Sequence, residues 1–334
     1  MGIRNLNKFL RDNCQDSIRC IDLSELNGKK IVIDISIYLY KFEATGALLE
    51  NMYVMLSTLN YYNIVPIFIF DGKPPPEKKD LLLKRKANRD EAQKEYDKLK
   101  EQLNNLSQND DDKREILASM DVLKKQIVQI KKEHIEKVKD LIRAYGATYY
   151  DAPGEADELC AMLVMKKKVW ACLSDDMDLF VYGCPRVLRY LSLMKHQAVL
   201  YYTNGILEAL KMTHKEFKEI CILSGTDYNS SNDTDKNNLQ LTIKHFNKYK
   251  MDNKNVDNNN DNDNDNFYEW LKKNTDCITN SELLNKINEM FNLECNQLKL
   301  DVFKNVKITN GPIRQEQIQN IMSEEDFMFC KKRY

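Results

Sequence analysis

Three short runs of β-branched and aromatic residues close on acidic residues, and this pairing constrains the chain more than any other feature. KKIVIDIS carries Asp34 at the end of one run, IVPIFIFDG carries Asp71 just after a second, and VWACLSDDMD carries Asp176 and Asp178 just after a third. Such runs, bounded by turn residues, read as strands of a mainly parallel α/β sheet. In an open sheet of that kind the ligand crevice lies beyond the carboxyl ends of the strands, where these acids stand. Glu155, Asp157 and Asp227 complete a set of seven. Carboxylates crowded at one edge repel one another and raise each other's pKa unless a divalent cation neutralises them. An all-oxygen set with no histidine or cysteine suits Mg²⁺, with Mn²⁺ as a substitute, rather than zinc. The chemistry that calls for it is phosphoryl transfer by two ions roughly 3.5–4 Å apart. Any one of these acids also has a structural reading, as a turn former or helix cap; the set together favours the metal site. Glu155 and Asp157 diverge if both lie within a helix, but Pro153-Gly154 marks a helix start from which both can reach inward.

At these residues the chain resembles the flap endonuclease/XPG family of structure-specific 5′ nucleases. MGIRNL, KIVIDISIYLYKF, FDGKPP, DAPGEADELCA, SDDMDLFVYG and ILSGTDYN follow that family's motifs in order over residues 1–230. The resemblance implies that Asp34, Asp71, Glu155 and Asp157 gather around one metal ion and Asp176, Asp178 and Asp227 on the side of another. It further implies hydrolysis of a DNA phosphodiester near a single-strand/duplex junction, with Gly2 near the active site.

A chain of 334 residues with 43% hydrophobic content can bury a substantial core. The start MGIRNLNKFLRDN has no apolar signal region, and no run approaches membrane-spanning length, so a soluble intracellular enzyme is expected, acting in a nucleus or at a viral replication site. The nine cysteines show no CxxC spacing, which predicts reduced, mostly buried thiols. Met1-Gly2 is not a myristoylation signal, because position 6 is Leu6.

The net charge of −1 hides an uneven distribution. Between Lys73 and Arg89 stand seven basic residues, Lys73, Lys78, Lys79, Lys84, Arg85, Lys86 and Arg89, against Glu77 and Asp80. A charge run is usually a solvated helix face, but a position directly after the Asp71 motif favours phosphate contact, with Lys79 and Arg89 as DNA-binding candidates. By resemblance, Lys78 and Arg85 match the basic pair that reaches the scissile phosphate, where they would neutralise charge developing in the transition state. From Glu77 to Tyr145 the apolar spacing predicts two long helices, broken at SQNDDDK. They resemble the family's arch over the site; a dimerisation arm is the structural alternative. Tyr40 matches the position that stacks on a nucleobase beside the cut, with Tyr38 as competitor for that role and simple burial as the alternative.

The chain departs from the family pattern in two places. NSSNDTDKNNLQLTIKHF after Asp227 lacks the glycine-bearing hairpin that grips duplex phosphates, although Thr234 and Asp235 could cap the next helix. KFEATGALLENMY is shorter than the family's junction-splitting wedge. VLRYLS and AVLYYT read as further strands, residues 252–266 as an exposed Asn/Asp-rich loop, and 267–295 and 312–330 as helices closing back on the sheet. No sliding-clamp docking pattern is present in the tail EEDFMFCKKRY.

The expected fold is therefore a PIN-like α/β domain over 1–230, with helices on both faces and an arch, followed by a helical C-terminal region over 231–334. The expected partner is DNA with single-strand/duplex junctions, bound by a monomer. The expected activity is metal-dependent cleavage at flap or branched junctions, with 5′ to 3′ exonuclease activity, in replication, repair or recombination. A four-way junction resolvase and a catalytically silent nucleic-acid-binding protein are the alternatives.

Overall fold

Strand β2, Lys30–Asp34, lies near the middle of a seven-stranded sheet and is apolar on both faces. In the computed structural model, which describes residues 2–105, 110–229, 238–256, 266–278, 280–293, 308–325, 327 and 329, Val32 enters one core while Ile31 and Ile33 enter the other. That alternation inside a continuous apolar run is the pattern of a strand buried between helical layers. β2 pairs in parallel with β3 (Val65–Phe70) and β5 (Ala171–Leu173). β4 (Thr148–Asp151) extends the sheet beyond β3, and β6 (Arg186–Ser192) extends it beyond β5, both parallel. A hairpin from β6 to β7 (Gln197–Tyr202) reverses direction, and β1 (Ile18–Asp22) pairs antiparallel with β7 at the edge. The order is β1-β7-β6-β5-β2-β3-β4.

Helices α2 (Ile35–Glu43), α3 (Leu48–Tyr61) and α6 (Lys132–Ala144) bury Tyr38, Met52, Met55, Leu141 and Ile142 on one face. On the other lie α1 (Leu6–Asn13), α7 (Ala156–Met165), the one-turn α8 (Asp178–Val181), α9 (Thr203–Leu210) and α10 (His214–Leu223). The C-terminal helices α11 (Leu239–Val256), α12 (Phe267–Asn274) and α13 (Ser281–Met290) join that second core through Phe246, Phe267, Leu271 and Ile287. A last helix, Gln315–Ser323, returns to the first core through Ile318 and Met322.

The stretch predicted as two long helices forms three. α4 (Lys79–Asn105) and α5 (Asp110–Gln126) pack against each other as a projecting hairpin. α6 belongs to the sheet layer instead, because Val138, Leu141, Ile142 and Ala144 bury an apolar stripe along one side of it. Only residues 44–47 join α2 to α3, in line with the short wedge segment. Residues 252–256, expected in an exposed loop, are the end of α11, while 257–265 lie outside the described residues. Thr234 and Asp235 also lie outside them; the described cap is Asn238, whose side chain accepts the Leu241 N–H at 3.0 Å. Cys14, Cys160, Cys172, Cys184 and Cys221 are free and buried. Among the described residues, no helix is long and apolar enough to cross a membrane.

Candidate metal and nucleic-acid site

The carboxyl ends of β2, β3 and β5 bring the sequence-predicted acids to one place, and each arrives by a local device. Asp34 ends β2 and caps α2, accepting the Ser36 N–H at 3.2 Å on Oδ1, while Oδ2 accepts the Ser174 hydroxyl at 2.9 Å. Asp71, just past β3, accepts the Ala156 N–H at 2.8 Å. It therefore caps α7, the helix whose first turn holds Asp157 and whose N-cap residue is Glu155. Gly72 makes this joint possible, since a Cβ there would stand 1.9 Å from the Ala152 carbonyl oxygen. Beyond β5, Asp176 accepts the Asp178 N–H at 3.0 Å. Asp227 follows α10 and lies near Glu155, because Lys78 Nζ pairs with both.

The cost of gathering this charge is visible in the protonation equilibria. Asp34 and Asp178 are each 3% exposed. Burial, then the neighbouring charge of Asp71, pushes the Asp34 carboxyl up to about 8. Burial likewise raises Asp157, with Asp176 and Asp34 adding to it, and raises Asp178, with Asp176 and Asp227 adding to it. Asp176 is raised mainly by burial. These are carboxylates that ordinary solvation does not satisfy.

Two cations from the base of α4 answer part of that charge. Lys78 Nζ donates to Glu155 Oε1 and lies 3.6 Å from Asp227 Oδ2, and Arg85 Nη2 donates to Asp227 at 2.9 Å. Burial works against the Lys78 ammonium, but Glu155, Asp157 and Asp227 outweigh it and its pKa is raised. No three described acids converge at coordination distance in this arrangement; Lys78 and Arg85 supply the local positive charge. The donor set nevertheless fits a hard divalent cation. Asp178 Oδ1 is buried with no hydrogen-bond partner. A Cβ at Gly2 (φ +72°) would stand 2.6 Å from Asp178 Oδ1 and 2.7 Å from Asp176 Oδ1, so only glycine leaves those oxygens accessible.

Above the acids opens a cavity of about 1480 Å³, lined by Tyr40, Lys79, Arg85 and Arg89 among others. Tyr40 is 49% exposed and faces this space, whereas Tyr38 is 1% exposed within the core. Burial thus separates two tyrosines that the sequence left in competition.

Other site residues were not set apart by the sequence, although Tyr182 and Tyr228 lie within SDDMDLFVYG and ILSGTDYN. The Tyr228 hydroxyl donates to Glu155 Oε2, and its ring stacks edge-on against Phe291, 5.6 Å away, just past α13. Tyr182 packs on the same Phe291 at 4.8 Å. Lys286 on α13 pairs with Glu77 at the arch base at 2.8 Å. Each depends on a contact more than 60 residues distant, which spacing along the chain does not encode.

Acids along the carboxyl edge of a mainly parallel sheet, beneath a helical hairpin whose base carries Lys78 and Arg85, define a PIN-like α/β fold. Residues 1–92 match the XPG N-terminal domain and residues 146–227 match the XPG I-region, so the chain belongs to the flap endonuclease/XPG family. It is 34% identical over 246 residues to flap endonuclease 1 of Glossina morsitans morsitans, covering 68% of this chain and 61% of that one. Flap endonuclease 1 of Glycine max is also 34% identical, over 248 residues, 68% of this chain and 62% of that protein. The chain spans about three fifths of the length of the curated relatives it matches. Among solved structures, the catalytic core of Rad2 in complex with DNA substrate superposes with a TM-score of 0.66 at 19% identity, covering 97% of this chain and 95% of that one. Flap endonuclease-1 from Methanococcus jannaschii superposes with a TM-score of 0.59 at 21% identity, covering 93% and 91%.

Proposed function

We propose that this protein is a structure-specific 5′ nuclease that hydrolyses DNA phosphodiesters at flap or branched junctions, with 5′ to 3′ exonuclease activity, in replication, repair or recombination. The observation that carries the reading is the buried acid cluster with Lys78 and Arg85 bound to it, directly beneath the arch cavity. Asp34, Asp71, Glu155 and Asp157 would hold one divalent cation and Asp176, Asp178 and Asp227 a second, Mg²⁺ with Mn²⁺ as a substitute. Such ions supply Lewis acidity to the phosphoryl group and lower the pKa of the attacking water.

The chain's own residues do the rest. Lys78 and Arg85, held at the acid cluster by Glu155 and Asp227, would neutralise negative charge developing on the scissile phosphate. Tyr40 offers a ring face to the base beside the cut. Lys79 and Arg89 line the path of the single strand. Tyr228 keeps Glu155 oriented.

The experiment is cleavage of labelled flap, nicked, gapped, blunt and four-way substrates with Mg²⁺, beside an EDTA control. Magnesium-dependent incision at the flap junction is expected. Incision confined to the four-way junction would replace this reading with the resolvase, and binding without incision would replace it with the silent binding protein.

A further inference from the structure

The parallel strands β2 to β6 carry opposite charge at their two ends. At the carboxyl edge stand the acids. At the amino edge, the loops feeding β2, β3, β4, β5 and β6 read LNGKK (26–30), YYNIV (61–65), YGAT (145–148), MKKKVW (165–170) and GCPR (183–186), and hold no acid at all. They hold six cations: Lys29, Lys30, Lys166, Lys167, Lys168 and Arg186.

Three of these residues, Lys29, Lys30 and Arg186, meet at Trp170. Its N–H donates to the Lys30 carbonyl at 2.7 Å and its carbonyl accepts Arg186 Nε at 2.7 Å. Lys29 Nζ lies 5.3 Å and Arg186 Cζ 5.1 Å from the ring centroid. Lys166, Lys167 and Lys168 form the exposed turn out of α7, with Lys167 in the left-handed region at φ +56°. None of the six has an acidic partner among the described residues. Residues 309–311 cover the neighbouring ends of β3 and β4, through Thr309 to Thr148, Asn310 to Ile64 and Gly311 to Gly146. Lys30 and the lysine turn stay exposed. Six like charges without counter-charges are self-repelling, and a bound polyanion relieves that repulsion.

We propose that this amino edge is a second nucleic-acid-binding surface, gripping the phosphates of a single strand away from the acid cluster. Lysines on an exposed turn respond to phosphate charge rather than to sequence. Aromatic rings are interleaved with them: Trp170 is half-buried, and Tyr61, 78% exposed, ends α3 just before the turn joined to Gly28 by the Asn63 carbonyl. Rings among cations suit a strand with splayed bases better than an acidic peptide. β2 alone separates Lys30 from Asp34 by roughly 13 Å at about 3.3 Å per residue, so the two surfaces hold different phosphates. The inference goes beyond the nuclease reading and does not rest on it.

The test compares the full chain with a Lys166→Gln/Lys167→Asn/Lys168→Gln variant, asparagine being chosen because it tolerates the left-handed conformation. Binding of a labelled single-stranded oligonucleotide in EDTA is followed by fluorescence anisotropy across salt concentrations. Each lost phosphate contact removes about 0.7 from the slope of log K against log salt, so the variant's slope should be shallower by about 2. Its low-salt affinity should fall at least tenfold, with junction cleavage at saturating substrate unchanged. Lys30→Gln, at the start of β2, should shift the slope the same way by about 0.7. Unchanged slope and affinity in both variants would overturn the proposal. So would loss of polyglutamate binding with oligonucleotide binding intact, which would reassign the surface to an acidic protein. Absence of cleavage by the unaltered protein would sink the nuclease reading and leave this one standing.

Discussion

Asp178 concentrates the electrostatic problem of this molecule in one side chain, with a buried carboxylate beside Asp176 and Asp227 and one oxygen that no protein group satisfies. Replacing it by asparagine removes a buried like charge, so in EDTA the Asp178→Asn protein should melt higher than the unaltered one. Cleavage should fall at least a hundredfold. Full activity in that variant would remove Asp178 from the metal site. The pH dependence has a definite sign. The folded Asp34 carboxyl titrates near 8, above its unfolded value near 4, so its stabilising contribution is complete below about pH 4 and is lost as pH rises through about 8. The chelated protein should therefore melt lower at pH 8 than at pH 5, and a divalent cation should raise the melting temperature more at pH 8. Equal cation effects at both values would show that the cluster is not the binding site. Tyr228→Phe should weaken Mn²⁺ binding, read by calorimetric titration, about tenfold, as expected when the orienting partner of a ligand is lost. That Asp34, Asp71, Asp176 and Asp178 stand at or just past strand ends was legible because strand ends and turn residues are local properties. Tyr228 and Ser174 were not, because what makes them matter is a partner on another element.

The arch differs from an ordinary charged helix only at its base. Lys78 and Arg85 touch acids of the cluster, whereas Lys98, four turns or so farther along α4, is exposed. If those two charges act on the transition state, Lys78→Ala and Arg85→Ala should lower the single-turnover rate about a hundredfold or more while changing substrate affinity little. Lys98→Ala should leave the rate within twofold. Equal losses from all three would mean that only the general field of the helix matters. The hairpin was readable from apolar spacing, which fixes helical faces. Where it ended was not: α6 has the same periodicity as its neighbours, and only the sheet it lies on distinguishes a buried apolar face from one that pairs within the hairpin.

At the scale of the whole molecule, the C-terminal helices share one hydrophobic core with the sheet and are not an appendage. The sequence reading divided the chain near residue 230, where the family resemblance ends. Yet Phe246, Phe267, Leu271, Ile287 and Phe291, all beyond that point, are at most 2% exposed in the same apolar cluster as Val32, Ile67 and Leu159. At roughly 1.5–3 kcal/mol for each buried side chain, removing the five would cost on the order of 8–15 kcal/mol. That equals the entire stability of a typical domain, about 5–15 kcal/mol. It would also strip Phe291 from Tyr182 and Tyr228, and Lys286 from Glu77, so the site would lose the side chains that brace it. A protein truncated after residue 229 should therefore be insoluble or molten, without the sharp thermal transition of the full chain, and should not cleave junctions even at saturating Mg²⁺. Recovery of a soluble, cooperatively melting, active fragment would show that the first 229 residues carry their own core and that the C-terminal helices only rest on it.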